Sequence, residues 1–279
     1  MFLILFISAV SGFKINSMID LTHPVDENTI SWPVATKFTA KQVYKNITDG
    51  GYWYENRDIS SSEHSGTHLD APTHLRDTQG GWSTGDIPLD RLFGTAVKID
   101  ISNQSREDID YRMSVEDILN WEKEHGTIPE NSILIVHTGR GNLYTNRVKY
   151  LGYPAGLNLP ENDTEHLHFP GIGEQAARLL VSRQVKGVGI DTPSLDYGQS
   201  KDYIAHRILL GANIWGLENA ARTDELPETG FQVYNFVLKL SGGSGGPTRA
   251  LAILEPETSG SNGRICSFAI LGVMLFKFV

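Results

Sequence analysis

Thr95-Ala-Val-Lys-Ile-Asp-Ile101 and Ser132-Ile-Leu-Ile-Val-His-Thr138 flank Ser114-Val-Glu-Asp117, and this succession sets the fold class. The outer runs are rich in Val and Ile and are bounded by Gly, Pro, Asn or Ser, as strands are. Ser114 and Asp117 make a capping-box pattern, so a helix starts between them. Val115, Ile118 and Leu119, with the stem of Glu122, give it an apolar face at helical spacing. Gly126 after His125 stops it. Further on, Ile172, Ala176, Leu179 and Leu180 stripe a second helix over about 173–184, and Gly187-Val-Gly-Ile-Asp191 follows as a strand. A shorter helix over 202–210 and strands over 231–240 and 249–254 complete the pattern. Alternation of this kind argues for an α/β domain with a mixed sheet.

The chain has 279 residues, 40% hydrophobic and 20% charged, a globular balance that excludes disordered and fibrous classes. Its 24 Lys and Arg stand against 33 Asp and Glu, a formal charge of -9 with no basic block, which excludes a general nucleic-acid binder. A single cysteine, Cys266, excludes an intrachain disulfide framework and a multi-cysteine zinc site. Ser241-Gly-Gly-Ser-Gly-Gly-Pro247 is the one linker-like run, but it sits between two strand patterns. One domain over 17–256 is expected.

The ends read differently. Residues 1–16 open with the apolar run Met1-Phe-Leu-Ile-Leu-Phe-Ile, followed by small Ser8, Ala9, Ser11 and Gly12. That is the length of a signal-peptide core and too short to span a bilayer. A buried N-terminal strand is the alternative. Sequons at Asn46, Asn103 and Asn162 agree with a secreted glycoprotein. Residues 257–279 are a polar spacer and an apolar tail interrupted by Lys277. They read either as a lipid-anchor signal, attaching the protein to the extracellular membrane surface, or as a terminal strand.

The chemistry concentrates in His64-Ser-Gly-Thr-His68-Leu-Asp70-Ala-Pro-Thr-His74. The offsets from His64 are all even, so an extended backbone points His68, Asp70 and His74 to the same side. Gly66 and Pro72 argue against a helix. Imidazole nitrogen and carboxylate oxygen are the donor set for zinc, manganese or iron in water-activating sites. Such an ion lowers the pKa of water at an open position toward ~7.

This motif resembles the signature of the metal-dependent cyclase family, which includes bacterial-type kynurenine formamidases and isatin hydrolases. Asp20-Leu-Thr-His23-Pro24, Gly187-Val-Gly-Ile-Asp191-Thr-Pro-Ser194, the segment from His206 to Glu218 and Gly242-Gly-Ser-Gly-Gly-Pro247 resemble further parts of it. The likeness runs over about 18–255. It implies a swivelling β/β/α domain that forms homo-oligomers. It implies one or two divalent ions, Zn or Mn, held by His64, His68 and Asp70, with His206 and Glu218 completing a second position. His74 would be the general acid/base, and with Glu218 it makes the catalytic pair.

Trp53, with Tyr52 and Tyr54, and Trp82 lie near the motif and are candidates for an aromatic substrate wall. Packing in the core or an oligomer interface is the other reading. His23 is a further substrate-binding candidate. The resemblance implies a hydrolase of an aromatic amide C–N bond. Hydrolysis of N-formylkynurenine to kynurenine and formate comes first, and opening of the isatin lactam is its rival. A non-catalytic secreted binding protein and a cyclase acting on other carbonyl compounds remain alternatives.

Overall fold

The computed structural model describes residues 18–76 and 80–255, so the leader and tail expectations lie outside the described residues. In chain order the elements are β1 (Met18–Asp20), β2 (Thr39–Ile47), β3 (Trp53–Ser60), β4 (His68–Asp70), β5 (Phe93–Asp100), α1 (Ser102–Glu107), β6 (Arg112–Met113), α2 (Val115–His125), β7 (Ile133–His137), α3 (Arg147–Leu151), β8 (Gly171–Ile172), α4 (Glu174–Ser182), β9 (Gly187–Ile190), α5 (Ile204–Gly211), β10 (Trp215–Glu218), β11 (Phe231–Val237) and β12 (Gly245–Leu254).

Eight strands form one mixed sheet in the order β1-β12-β11-β5-β7-β9-β10-β4. β5, β7, β9 and β10 run parallel to one another, while β1, β4, β11 and β12 pair antiparallel with their neighbours. β4 also pairs with the start of β12, which closes the sheet into a barrel. Closure removes free strand edges at the place where the motif lies. The sequence shows β5, β7, β9, β11 and β12 but not β1, β4, β10 or this closure, because the missed strands are only three or four residues long.

Ile133-Leu134-Ile135-Val136 on β7 shows why the parallel strands are apolar at every position. Leu134 and Val136 join Val97, Ile99, Val188 and Ile190 in a core that packs under α2, α4 and α5. Ile133 and Ile135 face the other way, with Leu69, Ala96, Leu217, Phe231 and Ala250 inside the barrel. Both faces of the strand are covered, so alternation disappears.

Helix α2 has the expected start: the Ser114 side chain accepts from the Asp117 N–H, and the Asp117 carboxylate accepts from the Ser114 N–H. Its apolar face differs from the expected one. Ile118 and Trp121 are buried, whereas Leu119 is 47% exposed. Ile118 and Trp121, three positions apart, share the inner face, and Leu119, one position on, is turned about 100° toward solvent.

β2 and β3 stand apart from the barrel as a two-stranded hairpin. Every residue of β3 and all but one of β2 are exposed. An isolated hairpin is marginally stable in water. Val43, Tyr44, Ile47, Trp53, Tyr54 and Ile59 are nonetheless among its exposed side chains.

Candidate metal centre

The motif converges, but not along one strand. Only His68–Asp70 is extended as β4. His64 lies in the preceding loop, and Pro72–His74 is a 3-10 turn. The chain bends at Gly66, whose φ of +61° is in the region that glycine adopts without strain. The even spacing pointed to side chains that do converge, but a kink and a turn, not pleating alone, bring His64 and His74 to β4.

Register supplies the rest. β10 is antiparallel to β4, so Glu218 lies opposite His68 and Gly216 opposite Asp70. On the other side Gly245 of β12 lies opposite Asp70. Asp70 is thus flanked by glycines on both strands. A Cβ at Gly245 would sit 2.5 Å from His64 Cε1, so the bare backbone lets the imidazole in. α5 presents His206 from the opposite wall.

The donor atoms form one cluster. Asp70 Oδ1 lies 2.7 Å from His64 Nδ1 and 3.2 Å from His68 Nε2, and Asp70 Oδ2 lies 3.2 Å from His206 Nε2. Glu218 Oε2 is 3.3 Å from His68 Nε2, and Glu218 Oε1 is 2.9 Å from His206 Nε2. Four donors around a zinc at 2.0–2.1 Å are about 3.3 Å apart in a tetrahedron. The spacing fits a cation. His68 Nε2 is buried and makes no hydrogen bond of proper geometry, which suits an atom aimed at an ion rather than at a donor.

Second partners orient two of the rings. His68 Nδ1 lies 2.9 Å from the Gly66 carbonyl oxygen, and His206 Nδ1 lies 2.6 Å from Asp196 Oδ2. A carbonyl oxygen only accepts, so His68 carries its proton on Nδ1 and turns the Nε2 lone pair toward the cluster. The Asp196 carboxylate does the same for His206. Asp196 was missed from sequence. It lies in the run that follows Gly187–Ser194, and nothing local ties it to His206.

The charges also call for a cation. Asp70, Asp196 and Glu218 are all buried. Burial lowers the pKa of His68, but the Asp70 and Glu218 carboxylates beside Nε2 outweigh it and push the imidazole up to about 10, so without an ion a proton takes the place that a cation would fill. Burial likewise opposes a proton on His206, and Asp196, Asp70 and Glu218 overcome it. Burial raises Asp70, and the imidazoles of His206, His64 and His68 packed against its two oxygens outweigh that and hold it well below its usual value. Buried carboxylates demand compensating positive charge, and a divalent ion supplies it with the donors already in place.

His74 stands slightly apart. Its ring centroid lies 4.0 Å from that of His64 and 6.1 Å from that of His206. Burial pushes it below 6.5, with Asp70 acting in the opposite sense. A nitrogen of His74 does come within 4.8 Å of donors from His64 and Asp70, so a ligand role and a proton-transfer role are both within reach.

A cavity of about 280 Å³ opens onto this cluster. Its walls include Ile30, Trp32, Ala35, Leu75, Pro193 and Tyr203 along with the four histidines and Glu218. The Trp32 and Tyr203 rings meet edge-on, with centroids 6.4 Å apart. The three residues expected at the substrate are not among its lining residues. Trp53 is on the projecting hairpin, 56% exposed. Trp82 packs against the barrel interior with the Arg91 guanidinium 5.7 Å over its ring. His23 stacks on Tyr144 at 3.6 Å and lines a separate cavity. Nearness in sequence suggested Trp53 and Trp82, but the hairpin carries Trp53 away, and the 3-10 turn meets Trp82 only through the Thr73 N–H and the Trp82 backbone carbonyl. Trp32 and Tyr203 are far from the motif in sequence and carry no signal of their own.

Residues 19–197 match the family model described as "Putative cyclase". The chain belongs to this cyclase family. An isatin hydrolase of Roseibium aggregatum is 32% identical over 199 residues, 69% of this chain and 72% of that protein. A kynurenine formamidase of Geobacillus thermodenitrificans is 28% identical over 235 residues, 84% of this chain and 96% of that protein. The structure of isatin hydrolase A from Labrenzia aggregata bound to benzyl benzoate superposes with a TM-score of 0.75 at 32% identity, covering 86% of this chain and 94% of that one.

Proposed function

We propose that the chain is a metal-dependent amidohydrolase that opens a neutral, flat aryl lactam of the isatin type. The observation that carries this reading is the union of a cation-demanding donor cluster with a small, aromatic-walled cavity. At about 280 Å³ the cavity is at the lower end for ligand sites, which suits a compact substrate. Among the described residues lining it there is no Lys or Arg. N-formylkynurenine, the first expectation from sequence, carries an α-amino acid whose carboxylate calls for a cation. An isatin-type lactam carries no such group. Kynurenine formamidase activity stays as the second reading, favoured by the wider coverage of that relative.

His64, His68, Asp70, His206 and Glu218 would hold the ion or ions. When bound, such an ion supplies Lewis acidity at the amide carbonyl and eases deprotonation of water. Asp70 presents Oδ1 to one pair of imidazoles and Oδ2 to His206, an arrangement able to serve either one ion or two. Trp32 and Tyr203 clasp the ring and exclude water from it. His74, whose pKa burial pushes below 6.5, takes a proton from the attacking water on a ring nitrogen. It then delivers that proton to the departing aryl nitrogen. In a lactam that nitrogen stays tethered to the product.

The test reconstitutes the metal-free protein with zinc or manganese and compares isatin with N-formylkynurenine. Metal-dependent turnover of isatin with the higher kcat/KM is expected. Chelator-insensitive turnover would remove the metal from the mechanism. Stoichiometric metal with no turnover of either compound would favour the binding protein.

Homo-oligomerisation is a further part of the reading. The projecting β2–β3 hairpin leaves Tyr44, Trp53, Tyr54 and Ile59 exposed, with Tyr44 and Tyr54 packed only on one another at 5.5 Å between ring centroids. Light scattering is expected to give at least a dimer, and replacement of residues 40–59 by a short turn is expected to give a monomer. A monomeric wild type would overturn it. Export is proposed on the leader and on the exposure of Asn46, Asn103 and Asn162. A mass unchanged by deglycosylation, for protein made in a secreting eukaryotic host, would count against it.

A further inference from the structure

We propose that Glu63 and Ser244 are positioning residues that fix the tautomer of His64, so that His64 presents Nδ1 to the metal while His68 and His206 present Nε2. The inference rests on the metal-dependent reading above and concerns which atoms that site uses.

The argument is a count of protons. Glu63 Oε2 lies 2.7 Å from Ser244 Oγ and 3.0 Å from the Ser244 backbone nitrogen. A carboxylate only accepts, so it draws both Ser244 donors to itself. The single hydroxyl hydrogen is then spent, and Ser244 Oγ faces His64 Nε2, 3.0 Å away, with a lone pair. The bond between them requires the hydrogen on Nε2. In the neutral imidazole Nδ1 is left unprotonated, and it points at Asp70 Oδ1, 2.7 Å away. Two facing lone pairs at that distance repel, and a cation shared by both turns the repulsion into coordination. His68 and His206 are set the opposite way, by Gly66 and Asp196 on their Nδ1 atoms.

The backbone is built for this contact. The Ser244 carbonyl accepts from the Ala71 N–H at 2.9 Å, which locks the start of β12 to the end of β4. Gly245 beside it leaves the space that His64 Cε1 occupies. Ser244 lies 180 positions from His64 in sequence, so the relay exists only because the barrel closes between β4 and β12.

The test uses the zinc-loaded full chain labelled with ¹⁵N. Long-range ¹H–¹⁵N spectra are expected to show His64 with a protonated Nε2 and a metal-bound Nδ1. Zinc affinity measured by chelator competition is expected to fall about 10–100-fold in Ser244→Ala and in Glu63→Ala, the range for loss of an outer partner. Glu63→Gln is expected to keep most of the affinity, because its carbonyl oxygen still accepts both Ser244 donors. Coordination through His64 Nε2 would overturn the relay, as would wild-type affinity in Ser244→Ala and Glu63→Ala proteins whose thermal unfolding matches the wild type. Glu63→Gln as weak as Glu63→Ala would also overturn it, since charge rather than orientation would then be at stake. If the alanine variants do not fold, the wild-type spectrum decides. Failure of the wild type to bind zinc or manganese would instead sink the metal-dependent reading, and the relay with it.

Discussion

His74→Ala is expected to keep its metal and to lose turnover by about 10²–10⁴-fold, the usual contribution of a general acid–base. The three other histidines at the cavity are held by Asp70, Asp196 or Glu218 at 3.3 Å or less. Among the described residues His74 makes no such ion pair; its close neighbour is the His64 ring. That freedom suits a group that must exchange protons. Burial pushes its pKa below 6.5, and a nearby cation acts in the same direction. The acid limb of kcat/KM should therefore lie below the ordinary imidazole value, with activity retained at pH 6.5 and lost on further acidification. Metal analysis beside the pH profile checks both halves. A variant that loses its metal would make His74 a ligand, and a limb above 6.5 would assign it to another group.

Asp70→Asn is expected to have the largest effect on metal content. Asp70 touches three imidazoles, and nothing else in the cluster does. The amide keeps the shape but removes the charge. It also places an N–H₂ group where a nitrogen lone pair and a cation expect an oxygen. The loss in affinity should exceed the roughly 100-fold upper end for outer partners. Turnover should fall with occupancy and recover in part at high metal concentration. Unchanged stoichiometry and affinity would take Asp70 out of the ligand set. His68, lifted to about 10 by Asp70 and Glu218 against burial, loses one of its two supports in this variant.

Local information was legible where neighbours in sequence are neighbours in space. The capping box at Ser114 and Asp117 needs only one turn of backbone, and it starts α2 where the pattern says. β7 was visible because a short run rich in Val and Ile is bounded by turn residues, and the structure buries all five of its residues. The choice between Leu119 and Trp121 as the inner residue was not visible, since it depends on which side of α2 the sheet lies. Parity likewise named the motif's side chains but could not show that Gly66 and the 3-10 turn at Pro72–His74 do the bending.

What the sequence by itself determined is the chemistry of the donors: a tight run of imidazoles and a carboxylate, with His206 and Glu218 supplied by family resemblance. Tertiary structure alone decided which partners surround them. Asp196, Ser244, Trp32 and Tyr203 reach the centre through barrel closure and strand register. Such contacts depend on how distant segments pack, a global energy balance that leaves no periodic trace in any short stretch of chain.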